Sequence, residues 1–221
     1  TNVRKGTSFP LDVRVTDGTT APVEATIQVT VTASTRELAS VNDDVIPQAD
    51  QGETISVNVL KNDVNPFPET PLRIVSANIE TGKGDAVVTG DRVDVTTPKD
   101  FVGNVVVRYR VLDATEDADR AVEGRIRITV QGRPDAPGRP TVTTVESRTV
   151  VLSWTPPVDN GRRIQGYTVT STAGGYTREC PSTTCTLDGL TNNVEYNFVV
   201  TATNSVGESD PSVPSETARP D

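Results

Sequence analysis

Four arginines alternate with apolar residues in two stretches. Arg108 and Arg110 sit among Val107, Tyr109 and Val111, and Arg125 and Arg127 flank Ile126. Side chains on an extended strand point alternately to opposite faces, so each stretch puts its arginines on one face. If the two stretches pair, all four cations share that face, and like charges directly opposite one another destabilise a sheet. Something must neutralise them: acids on a neighbouring strand, such as Glu80, or an anionic partner. Internal pairing is the plainer reading, and an anionic-partner face is the functional one. A second set of residues is rich in oxygen. Calcium takes roughly six to eight oxygens, mostly carboxylates and carbonyls. Asp43, Asp44 and Asp63 are the calcium candidates, and no other cofactor is expected. Their spacing fits neither an EF-hand loop nor a nonapeptide repeat. Asp and Asn also make turns by bonding their own backbone, which is the favoured reading here. Cys180 and Cys185, in CPSTTC, are the only cysteines. Their spacing is not that of a zinc ribbon or a redox dithiol. A local disulfide closing a strand-to-strand turn is favoured over two reduced, half-buried thiols, and it would imply an oxidising compartment.

The chain contains no histidine. The commonest general base and metal ligand is therefore missing, and no Ser-His or Cys-His nucleophile can form within it. The net charge of −9 argues against nucleic acid as a partner, because a phosphate-binding surface needs a basic excess. No apolar run approaches the ~18 residues that would mark a membrane-spanning helix, so no membrane insertion is expected. No P-loop, GxGxxG or serine elbow occurs. Paired carboxylates need a cleft that small sandwiches rarely offer. No catalytic residue is assigned, and the chain is expected not to be an enzyme.

The elements that position these residues are strands. Short runs rich in Val, Ile and Thr, split by Gly, Pro, Asn and Asp, recur along the 221 residues. Helical periodicity is nearly absent. The pattern predicts an all-β protein of tandem immunoglobulin-like β-sandwiches. It also repeats. Leu11–Val31 aligns with the stretch ending at Val130, with Val13–Asp17 against Tyr109–Asp113 and Val23–Val31 against Val122–Val130. The intervening loop is three residues longer in the second copy. The first copy is therefore expected to be the closing hairpin of a preceding unit, residues 1–38 with a short linker, and to need a partner. A complete unit is expected over 39–132, with strands at 41–46, 54–60, 72–79, 86–89, 92–96, 105–112 and 124–131. Gly90-Asp91 marks a tight hairpin. Pro134, Pro137 and Pro140 stiffen the boundary to a last unit, 133–221. Its strands are expected at 142–145, 150–154, 166–172, 176–180, 184–187, 195–204 and 212–218.

The residues of the middle unit carry a resemblance. Asn42-Asp43-Asp44, VNVLKNDVNP at 57–66, DFVGNVVVRYRVLD at 100–113 and RIRITV at 125–130 resemble the bacterial immunoglobulin-like repeats related to cadherin-like modules. In that family calcium sits at junctions between repeats, although Asn65 stands where a second Asp is common. In the last unit APGRPTV, VLSWTPPVDNGRRIQGYTV and LDGLTNNVEYNFVVTATNSVG resemble fibronectin type III modules. That resemblance makes Trp154 the core tryptophan of the second strand and packs Tyr167 from the third strand. It assigns Leu190 and Tyr196 to the tyrosine corner, whose hydroxyl bonds backbone near the turn. The loop 204–210 lacks Arg-Gly-Asp, and Lys83-Gly84-Asp85 reads as a turn.

The pairing resembles surface proteins of actinobacterial type. It implies a non-catalytic stalk, spacer or adhesive region of a secreted or cell-surface multidomain bacterial protein. Two other readings stay open: an accessory region of a secreted polysaccharide-degrading glycosidase, and a carbohydrate-binding module. Expected partners are other domains of the same protein and a cell-wall polysaccharide or a host or neighbour surface protein. The expected location is extracellular or at the cell surface.

Overall fold

The computed structural model describes residues 3–221. Fifteen strands and one 3-10 turn make up its regular structure. Two form the first hairpin, β1 (Ser8–Val15) and β2 (Val23–Thr30). Seven follow: β3 (Asp44–Asp50), β4 (Thr54–Val57), β5 (Arg73–Thr81), β6 (Asp85–Thr89), β7 (Arg92–Thr96), β8 (Gly103–Leu112) and β9 (Val122–Gln131). The last six are β10 (Thr141–Glu146), β11 (Thr149–Ser153), β12 (Gly166–Ser171), β13 (Thr177–Cys180), β14 (Thr184–Leu187) and β15 (Phe198–Thr203). By compactness the chain forms two units. One takes residues up to Ile46 with Thr54–Thr96 and Val105–Ile128, and the other takes Pro47–Glu53, Thr97–Asn104 and Thr129–Asp221.

In the first unit β1 and β2 pair in unbroken antiparallel register, Ser8 opposite Thr30 through Val15 opposite Val23. Their sheet has two strands. The seven strands that follow form a four-stranded sheet, β3-β9-β8-β5, and a three-stranded sheet, β4-β7-β6. Alternation puts Val105, Val107, Tyr109, Val111, Ile126 and Ile128 on the inner face, all at 2% exposure or less. Val57, Val93 and Val95, on strands of the other sheet, are also buried. Pro47 lies in β3, an edge strand, where a missing N–H is tolerated. Gly90, at φ +65°, and Asp91 close β6 onto β7 with Thr89 opposite Arg92.

The first strand begins three residues later than its alternation predicts, at Asp44 rather than 41. Residues 40–42 are held by the turn after β4: Ser40 pairs with Val64, and Asn42 N–H donates to Asp63 Oδ1 at 3.0 Å. β4 stops at Val57, not 60, because the chain then turns, with Lys61 N–H bonded to Asn58 O and Asp63 N–H to Leu60 O.

In the second unit, β10-β11-β14 and β13-β12-β15 enclose Val150, Leu152, Val169, Leu187, Phe198 and Val200, all at 0% exposure. No strand is assigned at 212–218. That segment follows β15 with a repeat of three residues against two. The N–H groups of Ser209, Ser212 and Ser215 donate to Ala202, Val200 and Phe198 carbonyls at 2.8–2.9 Å. The N–H groups of those same three partners donate back to the serine Oγ atoms, each at 2.9 Å. Each repeat thus inserts one extra residue, as a bulge does, and a hydroxyl replaces the displaced carbonyl acceptor. All three serines are buried. Ser212→Ala leaves the buried Val200 N–H without an acceptor, so it should cost about 2 kcal/mol. Denaturant unfolding of the two proteins, followed by Trp154 fluorescence, checks this.

Candidate functional site

Two polar clusters gather residues singled out from sequence, and a third forms around residues that were not. The first surrounds Tyr109, whose ring is wholly buried. Its hydroxyl lies 3.3 Å from both Asn42 O and Asp44 Oδ2. Asn62 Nδ2 donates to Asp44 Oδ1 at 3.2 Å. Burial pushes the Asp44 and Asp63 carboxyls above the ordinary range, and the Asp63 charge adds to the effect on Asp44. Burial and then those two carboxylates push the Tyr109 hydroxyl up as well. Asp63 Oδ2 is buried without a hydrogen-bond partner.

Asp43 is not part of this cluster. Adjacent residues of an extended segment face opposite ways, and Asp43 turns to the arginines. The calcium candidates are therefore split. Of the two that converge, three of four carboxylate oxygens are already used by Asn42, Asn62 and Tyr109. Among the described residues no group of three or more His, Cys, Asp or Glu converges as a metal site.

The chemistry of Asp63 is instead a stability effect. Its folded pKa is raised, so the folded state binds more protons than the unfolded one. Stability then falls as pH rises through the carboxylate range and stays lower at neutral pH. Asp63→Asn keeps an acceptor for Asn42 N–H and removes the charge. It should raise the melting temperature of the first unit near pH ~7, an advantage that fades below pH ~4. Thermal melts at the two pH values check it.

The arginine face is the second cluster. Arg125 meets Glu80 at 2.8 Å and Arg127 meets Asp43 at 3.1 Å. Arg108 lies 3.9 Å from Glu123, and Arg110 donates to Ala118 O at 3.1 Å. Arg125 holds the Glu80 carboxyl below its usual range. Each cation thus has an oxygen partner within the chain, all of them at the surface.

The third cluster was not legible beforehand. The β8–β9 loop contains a 3-10 turn, Ala118–Arg120, capped by Asp117. Arg120 is buried and pairs with the buried Asp113 at 2.8 Å. It also donates to the carbonyls of Arg36 (2.8 Å) and Glu37 (2.7 Å), while Arg36 lies 4.8 Å over the Phe67 ring. The carbonyls of Arg36 and Glu37 are therefore held by part-buried hydrogen bonds, where composition predicts a plain linker. Burial pushes Asp113 up, but Thr115 and Arg120 outweigh it and hold the carboxyl below the ordinary range. The signal in the sequence was the loop itself, longer by three residues in this copy and holding the arginine.

In the second unit Cys180 and Cys185 form a disulfide. It closes the turn between β13 and β14, and those strands belong to different sheets, so the bond staples sheet to sheet. Trp154 packs edge-on against Tyr167 with ring centroids 5.4 Å apart. The Tyr196 hydroxyl accepts from Thr191 N–H at 3.1 Å, one residue past the buried Leu190. An open cleft of about 500 Å³ is lined in part by Arg133, Asp135, Asn160 and Asp210. Four of its polar side chains pair with one another: Arg133 with Asp210 at 3.2 Å and Asn160 with Asp135 at 2.9 Å.

Two β-sandwich patterns in one chain find their match in known families. Residues 37–129 match the family described as bacterial Ig domain, and residues 135–218 match the fibronectin type III domain. The chain carries a bacterial Ig domain followed by a fibronectin type III domain. Contactin-5 of Mus musculus and of Rattus norvegicus are each 33% identical over 110 residues, 45% of this chain. The chain spans about a tenth of the length of these curated relatives, 10%. A crystal structure of consecutive titin domains aligns over 100% of this chain and 96% of its own, at 17% identity and TM-score 0.47. The twitchin kinase region from C. elegans aligns over 38% of this chain and 16% of its own, at 30% identity and TM-score 0.35. Ig and fibronectin type III domains are typically non-catalytic modules. With the disulfide, they point to an extracellular setting.

Proposed function

We propose that the chain is a structural and adhesive region of a secreted or cell-surface bacterial protein, acting as stalk, spacer or interaction module, and that it has no catalytic role. One observation carries this reading. Two buried polar side chains, Arg120 and Asn204, hold backbone rather than face a cavity. Arg120 binds two carbonyls of the segment that precedes β3. Asn204, in the fibronectin domain, donates to Gly132 O at 2.8 Å and Asp159 O at 3.1 Å. Such residues make a fold resist deformation, whereas a catalytic centre leaves polar groups free to meet a substrate. Other domains of the same protein are its first partners, and a cell-wall polysaccharide or neighbouring surface protein is the second.

Pulling the chain from both ends in a force spectrometer tests the reading. Two force-resisting events are expected, each releasing roughly 30 nm of chain for a ~90-residue domain. Extension without a resisting event rules out a load-bearing role.

A further inference from the structure

The first hairpin has two unlike faces. Ser8, Asp12, Thr26 and Gln28 form hydrogen bonds on one, including Thr26 to Asp12 at 2.8 Å and Gln28 to Ser8 at 3.0 Å. The other is apolar and uncovered: Phe9 is 40% exposed, Leu11 49% and Ile27 51%. The internal repeat says what such a face meets. Phe9, Leu11, Val13, Val15, Ile27 and Val29 correspond to Val105, Val107, Tyr109, Val111, Ile126 and Ile128. In the Ig domain those six positions are 0–2% exposed. The turn corresponds as well. Asp17 Oδ1 accepts from Thr19 N–H at 2.9 Å, and Asp113 Oδ1 accepts from Thr115 N–H at 3.0 Å.

One pair goes further. In the Ig domain a Cβ on Gly124 would fall 2.5 Å from the Tyr109 ring and hydroxyl and against Val41, so the large tyrosine and Val41 together require glycine there. In the first copy Val13 stands at the tyrosine position, and its cross-strand partner is Ala25, at the glycine position. The smaller residue on one strand goes with the larger on the other. Volume compensation of this kind matters only in a close-packed interior, because a solvated face has room for either combination.

We propose that the apolar face of β1–β2 is an interaction surface for a three-stranded sheet built like β4-β7-β6, which in an Ig repeat faces the sheet that holds the counterparts of β1 and β2 between two further strands. Two strands alone are marginal in water, and the covering sheet supplies the burial they lack. A second copy of the hairpin is the competing occupant.

The test uses the full chain, and the same chain with residues 39–104 repeated ahead of Phe9. Hydrogen exchange is read at the amides of β1 and β2. In the chain as it stands those amides should exchange fast and sedimentation should show a monomer. In the extended chain they should slow at least ~100-fold, into the range of β8 and β9. A dimer that protects the hairpin and is dissolved by Ile27→Asp overturns the proposal. If the extended chain gives no protection, the variant V105F/V107L/Y109V/G124A/I128V decides, since it places the hairpin's inward face against β4-β7-β6. A retained cooperative transition of the Ig domain then supports the fit. Loss of that transition, with no protection in the extended chain, overturns it.

Discussion

Replacing Arg120 by Met should cost the Ig domain about 3–5 kcal/mol, because it leaves a buried carboxylate without its cation. The Asp113 side chain is 0% exposed and that of Arg120 9%. Methionine keeps the apolar stem but removes the donors to Asp113 and to the Arg36 and Glu37 carbonyls. Domains of this kind are stable by about 5–15 kcal/mol in total, so the loss is a large share. The sign of its pH dependence is a second check. In the parent protein Asp113 is held below the ordinary carboxylate range, so its contribution is present above that range and lost as pH falls through the folded value. Without Arg120, burial dominates and the folded value rises. The variant then loses stability as pH rises through the carboxylate range, and the gap between the two proteins narrows in acid. Adding Asp113→Asn removes the stranded charge and should recover part of the loss. Thermal melts of the three proteins between about pH 3 and pH 7 would show it, and a gap constant across that range would refute the account. Cleavage within residues 33–39 by a protease should also quicken in R120M.

Most strands could be read from alternation, because a half-buried strand imposes a period of two on any sequence that forms it. Val105–Val111 and Val150–Leu152 show this directly. The departures lie where side chains replace backbone partners. Asn42 and Asp63 bond each other's segments and delay β3. Ser209, Ser212 and Ser215 impose a period of three on the last segment, which alternation reads as an ordinary strand. Local sequence also placed the Cys180–Cys185 bond at a turn, yet that β13 and β14 part into different sheets depends on long-range pairing. The Arg120 cluster was hidden for the same reason. An arginine among Asp117, Asp119 and Glu123 reads as a solvated loop, and only the fold brings Asp113 and the carbonyls of residues 36 and 37 around it. The arginine face shows the reverse case. Its four cations were conspicuous, and Glu80, Asp43 and Glu123 lie beside them.

The Tyr109–Gly124 pair should behave as one unit. Gly124→Ala alone drives a methyl into Tyr109 and Val41, so β8 or the segment before β3 must shift. Overpacking of this kind costs about 1–3 kcal/mol, occasionally more. Tyr109→Val alone leaves a cavity, and the hydroxyl no longer meets Asn42 O or Asp44, for about 3 kcal/mol or more. If the two volumes compensate, the double variant Y109V/G124A should be more stable than the sum of the single losses predicts, by about 1–3 kcal/mol. It should not regain the parent's stability, because Val41 still meets the new methyl and the hydroxyl's contacts stay lost. Equilibrium unfolding of the four proteins measures the coupling. Strict additivity would mean that Tyr109 does not dictate the glycine opposite. The Val13–Ala25 pair of the first hairpin would then carry no record of a packed interior, and its exposed face would lose the strongest reason to expect a covering sheet.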